Sequence, residues 1–245
     1  MPVRRHKAVA AQWPSLPLLP LPPTMTDRFS ESLQALNQPV WDACIHHRFI
    51  DEMRAGSLDD AVLRRYLVQD YQFINQFVAL LGAAIASADS FAPRVRLAQF
   101  AAMITSDENT YFQRSLDELQ VPAQERETPP LTLPTVQFQA LMGQAARSQK
   151  YANCLAVLCV AEGLYLDGFD QPGQTLPPRF VHAEWISLHA NDFFRDFVGW
   201  LRAELDRMGE SIDPDARAEA ADYFSRAVAL EQAFFDHVYQ PPSAD

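Results

Sequence analysis

Four ionisable residues fall on stripes that are otherwise apolar. In RRYLVQDYQFINQFVALL, Asp70 shares a helix face with Tyr66, Phe73, Ile74 and Phe77, at spacings of three and four. In LCVAEGLYLDGFD, Glu162 aligns with Leu158, Tyr165 and Phe169, and residues 151–166 around it are apolar or small except for Asn153. In AEWISLHANDFFRDFVGWL, His189 aligns with Trp185, Ile186 and Phe193. In ADYFSRAVALEQAFFDHVY, Glu231 lies on the stripe of Phe224, Ala227, Val228, Phe234, Phe235 and Val238. A carboxyl buried without a partner is costly unless it takes up a proton. Helical bundles build their sites from side chains on facing helices. Should the four converge, they line an aromatic pocket with two or three carboxyl groups. Such a pocket suits a flat, nitrogen-rich heterocycle: rings stack on it, one carboxylate accepts from an exocyclic amine, and another moves protons.

Each group also has a structural reading. Asp70 can pair with Arg65 or another arginine, Glu231 can sit at the rim of the bundle, and His189 can be a hydrogen-bonded core histidine. Cys154 and Cys159 read as small core residues. The acids between 117 and 127 read as a solvated face. A carboxylate-bridged metal pair needs Glu-x-x-His, which is absent; His182 and His189 are seven apart and can share a face, but no Asp lies four from His182, and Glu108 has no histidine within two turns. Neither a metal nor an organic cofactor is expected. GxGxxG, Walker and GxSxG patterns are absent too.

The elements that must carry these residues are helices. Eight glycines in 245 residues are few, and no Asn-Gly or Asp-Gly turn separates alternating runs. Breakers stand at Gly56-Ser57, with Ser57 as a possible cap, at Ala92-Pro93, over Pro122–Pro134, over Gln171–Pro178, and at Asp213-Pro214, an N-cap followed by proline. The pattern predicts helices over 27–37, 39–54, 58–88, 93–119, 135–147, 149–169, 178–208 and 214–239, with no strand. That makes one all-α domain over 26–241, a bundle of about eight helices. Residues 1–25 read as a disordered tail: the first 24 hold six of the 18 prolines and no acid, and Met25 can be the true start. Pro17 and Pro20 interrupt a signal-peptide core, and 242–245 read as a disordered end. No uncharged apolar run reaches the roughly 20 residues of a membrane span. A net charge of −11 argues against nucleic acid and for small-molecule or protein partners. Three cysteines form no disulfide framework, which fits a reducing cytoplasm.

HRFIDEMRAGSLDDAVLRRYLVQDYQFINQFVALLGAAIASA, residues 47–88, resembles the opening of the TenA/thiaminase II family, with its His-x-Phe, Gly-x-Leu turn and Tyr-Leu-x-Gln-Asp-Tyr helix. SDENTYFQRSLDEL, EWISLHANDFFRDFVGWLRAELDR and ALEQAFFDHVY are similar to later helices of that family, so the likeness covers about 38–239. The resemblance implies a haem-oxygenase-like helical fold without haem, and dimers or tetramers. It implies thiamin-pyrimidine salvage: hydrolysis of 4-amino-5-aminomethyl-2-methylpyrimidine, or of thiamin, to the hydroxymethyl pyrimidine. It places the pyrimidine-binding aspartate at Asp70 and an acid/base glutamate at Glu231. The usual nucleophilic cysteine aligns with Ala161 or Glu162. Cys159 stands two or three residues earlier, about 200–300° around the helix, and should face elsewhere. VAEGLYLDGF is similar to a branch that carries glutamate instead, associated with formylamino- and aminomethyl-pyrimidines. Family tyrosines near the ring are replaced by Phe73, Phe138 and His189. The resulting expectation is a hydrolase with Glu162 and Glu231 catalytic and Asp70, Phe73, Phe138, Tyr165 and His189 binding substrate. A thiaminase II using Cys159 and a non-catalytic pyrimidine-binding protein remain the alternatives.

Overall fold

Helix caps and breaks explain the architecture better than helix propensity does. The computed structural model describes residues 28–240, so both expected disordered ends lie outside it. The helices are α1 (Phe29–Leu36), α2 (Gln38–Ile45), α3 (Arg48–Ala55), α4 (Asp60–Tyr71), α5 (Phe73–Ser87) and α6 (Phe91–Met103). A π-helical turn (Ile104–Glu108) leads into α7 (Asn109–Glu118). Then come α8 (Ala123–Glu127), α9 (Leu133–Ser148), α10 (Tyr151–Phe169), α11 (Phe180–His189), α12 (Asp192–Ser211) and α13 (Pro214–His237). No strand occurs among the described residues. The all-α expectation holds, but "about eight" undercounts, because four expected long helices are interrupted and α8 forms inside the expected 122–134 break.

Each interruption has a local chemical cause. The expected 39–54 helix breaks where the His47 ring Nδ1 accepts the Phe49 N–H at 3.1 Å and so caps α3. The expected 58–88 helix breaks at Gln72, whose freed carbonyl accepts from Gln139 Nε2 at 2.8 Å. Gln69, just before the break, makes three hydrogen bonds: its Oε1 accepts from Thr135 Oγ1 (2.8 Å) and the Thr132 N–H (3.0 Å), and its Nε2 donates to the Pro130 carbonyl (3.0 Å). The expected 178–208 helix breaks at Asn191. Its Oδ1 accepts the Phe194 N–H at 2.9 Å, starting α12, while its Nδ2 donates to the Ser187 and Leu188 carbonyls, ending α11.

The expected 93–119 helix begins two residues early and widens into the π turn. Hydroxyls serve the carbonyls loosened there: Thr105 Oγ1 donates to Ala101 O (2.9 Å), Ser106 Oγ to Ala102 O (2.8 Å) and Thr110 Oγ1 to Ser106 O (2.7 Å). Two caps complete the comparison. Asp59 caps α4 in place of Ser57, accepting the Ala61 N–H at 2.8 Å. Asp213 caps α13 as expected, with Pro214 following. Gly56 closes α3 at φ +68°, where a Cβ would lie 2.7 Å from Pro177.

The core is organised round α10, which packs against α2, α5, α9, α12 and α13. Among the described residues α10 is the one helix long and apolar enough to cross a membrane, and 89% of it is buried by its neighbours. Of its two acids, Asp167 is paired: it accepts from Trp41 Nε1 at 3.2 Å and from Arg202 Nη2 at 2.9 Å. The other, Glu162, meets no such partner among the described residues. At the edge, α1 lies on α12 so closely that a Cβ at Gly209 would come within 2.6 Å of the Phe29 ring.

Candidate active site

The interruptions bring acids and rings into one cleft. The α4–α5 break delivers Asp70 from one side and Phe73 and Phe77 from the other. The π turn delivers Ile104 and Glu108, and α7 adds Phe112. Phe138 and Met142 come from α9, Ala161, Glu162 and Tyr165 from α10, Trp185 and His189 from α11, and Glu231 from α13. The unfilled space of the cleft, open mouth included, is about 560 Å³. All seven residues singled out in the sequence line it: Asp70, Phe73, Phe138, Glu162, Tyr165, His189 and Glu231.

The aromatic walls are continuous. Phe73 meets Phe138 edge-on at 5.5 Å between centroids and Phe234 at 5.1 Å. Tyr165 lies 5.0 Å from the His189 ring, and Trp185 lies 4.4 Å from it. The Tyr165 and Tyr66 hydroxyls are hydrogen-bonded at 2.7 Å. His189 Nδ1 stands 2.8 Å from the Trp185 carbonyl, which can only accept, so Nδ1 carries the proton and Nε2 is left as an acceptor. Its packing partner is Phe194 at 5.2 Å rather than the expected Phe193, which is 48% exposed; the break at Asn191 shifts the phase by one residue.

None of the four acids has an ion-pair partner among the described residues. Asp70 does not pair with Arg65, whose Nε donates to the Val238 carbonyl at 2.7 Å. Glu231 is 3% exposed and Glu162 6%, so neither is a rim residue. Desolvation therefore dominates their ionisation. Burial pushes the Asp70 carboxyl up to about 7, with the nearby Tyr66 hydroxyl pulling the other way. Burial and then the charge of Asp70 push Glu108 up to about 8. Glu162 is held well above the usual carboxylate range by burial, then by the charges of Glu108, Glu231 and Asp70. Glu231 is raised by burial and by Asp70. His189 moves down, to about 4, because burial disfavours its cation. The free acids thus favour protonated, hydrogen-bond-donating forms near neutrality, beside groups that ionise in the same range. That is the requirement for proton exchange with a bound base.

Glu108 is the acid missing from the sequence-derived set, where it figured only as a rejected metal ligand. The signal was there: Ile104 lies four residues before it, and Tyr111 and Phe112 three and four after. Among the described residues no three His, Cys, Asp or Glu side chains are grouped so as to hold a metal ion. Cys159 is 2% exposed and does not line the cleft; its thiol, raised by burial, feels Arg202 and Asp206 on α12.

The model of the TENA/THI-4/PQQC family matches residues 7–241. An aminopyrimidine aminohydrolase of Halalkalibacterium halodurans is 23% identical over 217 residues, covering 86% of this chain and 95% of that protein. Among solved structures, a TenA homologue from Pyrococcus furiosus is similar with a TM-score of 0.77 and 19% identity, covering 86% of this chain and 100% of that one. A domain with a heme oxygenase-like fold from Shewanella denitrificans is similar with a TM-score of 0.50 at 15% identity, covering 88% of this chain and 93% of that one.

Proposed function

The chain belongs to the TENA/THI-4/PQQC family, and from that premise we propose that it is a hydrolase of thiamin-pyrimidine salvage. The reaction replaces the amine of an aminomethyl-aminopyrimidine with hydroxyl. A C–N bond breaks, a C–O bond forms from water, and ammonia leaves. The N-formyl form of the same substituent is a second candidate substrate. The observation that carries this reading is the convergence of four acids without counter-ions in one ring-walled cleft. A pyrimidine bearing amino groups supplies the donors and the cationic character that such a cleft lacks.

In this reading Asp70 takes the aminopyrimidine edge, accepting from the 4-amino group and donating its carboxyl proton to the ring nitrogen, and Phe73 and Phe138 hold the ring faces. Glu162 acts at the reacting carbon, as base for water or as acid for the departing amine. Glu231 exchanges protons with it, so the pH profile belongs to the coupled acids rather than to one residue. Tyr165 and His189 orient substrate or water, with the Tyr66–Tyr165 contact fixing one hydroxyl. The burial of Cys159 away from the cleft supports a carboxyl rather than a thiol as the reacting group. The proposal includes a cytoplasmic setting, for which the three free cysteines speak, and a homo-oligomer.

The test is product formation from the aminomethyl-pyrimidine, its N-formyl form and thiamin, with wild type, Glu162→Gln and Glu231→Gln side by side. Hydroxymethyl-pyrimidine should appear with wild type and fall at least about 100-fold with either variant. Full activity in Glu162→Gln would refute the assignment. Loss of activity on alkylating Cys159 would restore the thiaminase alternative.

A further inference from the structure

Three of the four cleft acids have a task in the proposed reaction, and Glu108 has none. It is nevertheless built into the site. The π turn that carries it has its loosened carbonyls satisfied by Thr105 and Ser106, so the widened geometry is a stable part of the fold. π turns inside α-helices occur frequently at functional sites. Glu108 is half-buried on the cleft wall with no cation in range, and it exerts the largest acidic influence on Glu162. Glu162 and Glu231, each more than nine-tenths buried and unpartnered, line the same space, and the buried Trp185 Nε1 there also lacks a partner.

We propose that Glu108 is the specificity-determining residue of this cleft: with Glu162 it receives the ammonium group of the substrate's side arm, so the site selects pyrimidines carrying a primary amine over those carrying a neutral substituent. This deepens the function proposed above and rests on it. The chemistry is direct. A primary ammonium has three N–H donors and no acceptor, and its charge favours loss of a proton from the neighbouring carboxyl pair, which then offers acceptors and a negative charge to the bound group. A hydroxymethyl group brings no charge, so it gains little from the same pair. A leaving amine would be held there until water has taken its place, and the neutral product would then be bound less tightly than the substrate.

The experiment compares a cationic and a neutral ligand in the full-length protein. KM is measured for 4-amino-5-aminomethyl-2-methylpyrimidine, and the inhibition constant for the hydroxymethyl analogue, with wild type, Glu108→Gln and Glu108→Asp. Glu108→Gln should raise KM about tenfold or more while the inhibition constant stays within about twofold, and Glu108→Asp should recover part of the loss. Equal shifts for both ligands, or none for either, overturn the proposal. Should Glu108→Gln not fold, Glu108→Asp carries the comparison, with a threefold or larger selective rise expected, on the order of one weakened charged contact. Should wild type show no turnover, the hydrolase reading fails. Calorimetric Kd values of the same two ligands then decide the Glu108 assignment on their own, by the same ratio.

Discussion

Glu162 and Asp167 lie five residues apart on α10 and meet opposite fates. Asp167 is held by Trp41 and Arg202, whereas Glu162 faces a cleft with no cation. Asp167→Asn should therefore lower Tm, by about 2–10 °C for a loss of roughly 1–3 kcal/mol, with kcat near wild type. Glu162→Gln should do the reverse: kcat falls at least about 100-fold and Tm holds or rises. Thermal melts and steady-state kinetics on the two variants check both arms. The raised acids also set a pH trend. A carboxyl whose folded pKa lies above its unfolded value binds more protons when folded, so stability falls as pH rises between the two. For Asp70 that window runs from 3.8 to about 7, and for Glu108 from 4.5 to about 8. His189 acts at the acid end, where stability falls as pH drops from 6.5 towards about 4. The Tm advantage of Glu108→Gln over wild type should thus be near zero at pH 4 and grow to a few degrees by pH 8.5. A constant offset across that range would contradict it. Three of the four acids were legible from the sequence because α4, α10 and α13 keep their phase through Asp70, Glu162 and Glu231. Glu108 was obscured by Asp107 and Asn109, which make its segment read as polar surface.

At the scale of elements, what the sequence conceals is where a helix stops. Residues 58–88 read as one helix because Gln72 is no breaker; the partners that make its break tolerable, Gln139 and the 130–135 segment, are some 60 residues away. Asn191 is the opposite case. Its two-sided capping is local, and an asparagine before an aromatic run was a readable start signal. Gln69 is the residue that ties the α4–α5 break to the start of α9, directly beside Asp70. Gln69→Leu leaves the Thr132 N–H and the Pro130 carbonyl without these partners, which should cost about 2–4 kcal/mol. Because the break also aims Asp70, KM for the aminopyrimidine should rise severalfold with kcat less affected. Denaturant melts and a KM-against-kcat comparison test this. A variant with lowered stability and unchanged KM would show that the clamp supports the fold without aiming Asp70.

Over the whole molecule, the class of fold was legible and the path of the chain was not. Helical periodicity and scarce glycine announce an all-α bundle, but which helix occupies the centre depends on how completely its faces are covered, and α10 is buried along almost its whole length. Tight contacts at the periphery also bear on stability. Gly209→Ala drives a methyl into the Phe29 ring, so α1 must shift or detach; a loss of about 1–3 kcal/mol follows, measurable by urea denaturation, with the cleft and its kinetics unchanged. The central helix carries one more consequence, and it concerns time. Two of the helices that enclose α10, α12 and α13, are encoded after it. While the ribosome is still making them, a 19-residue apolar segment has left or is leaving the exit tunnel with no cover on two sides. During that interval it has the length and composition that chaperones and membrane-insertion machinery bind. The nascent chain's commitment to the folded state must therefore wait for its last third, and a chain halted after Asn191 should be captured or aggregate rather than fold.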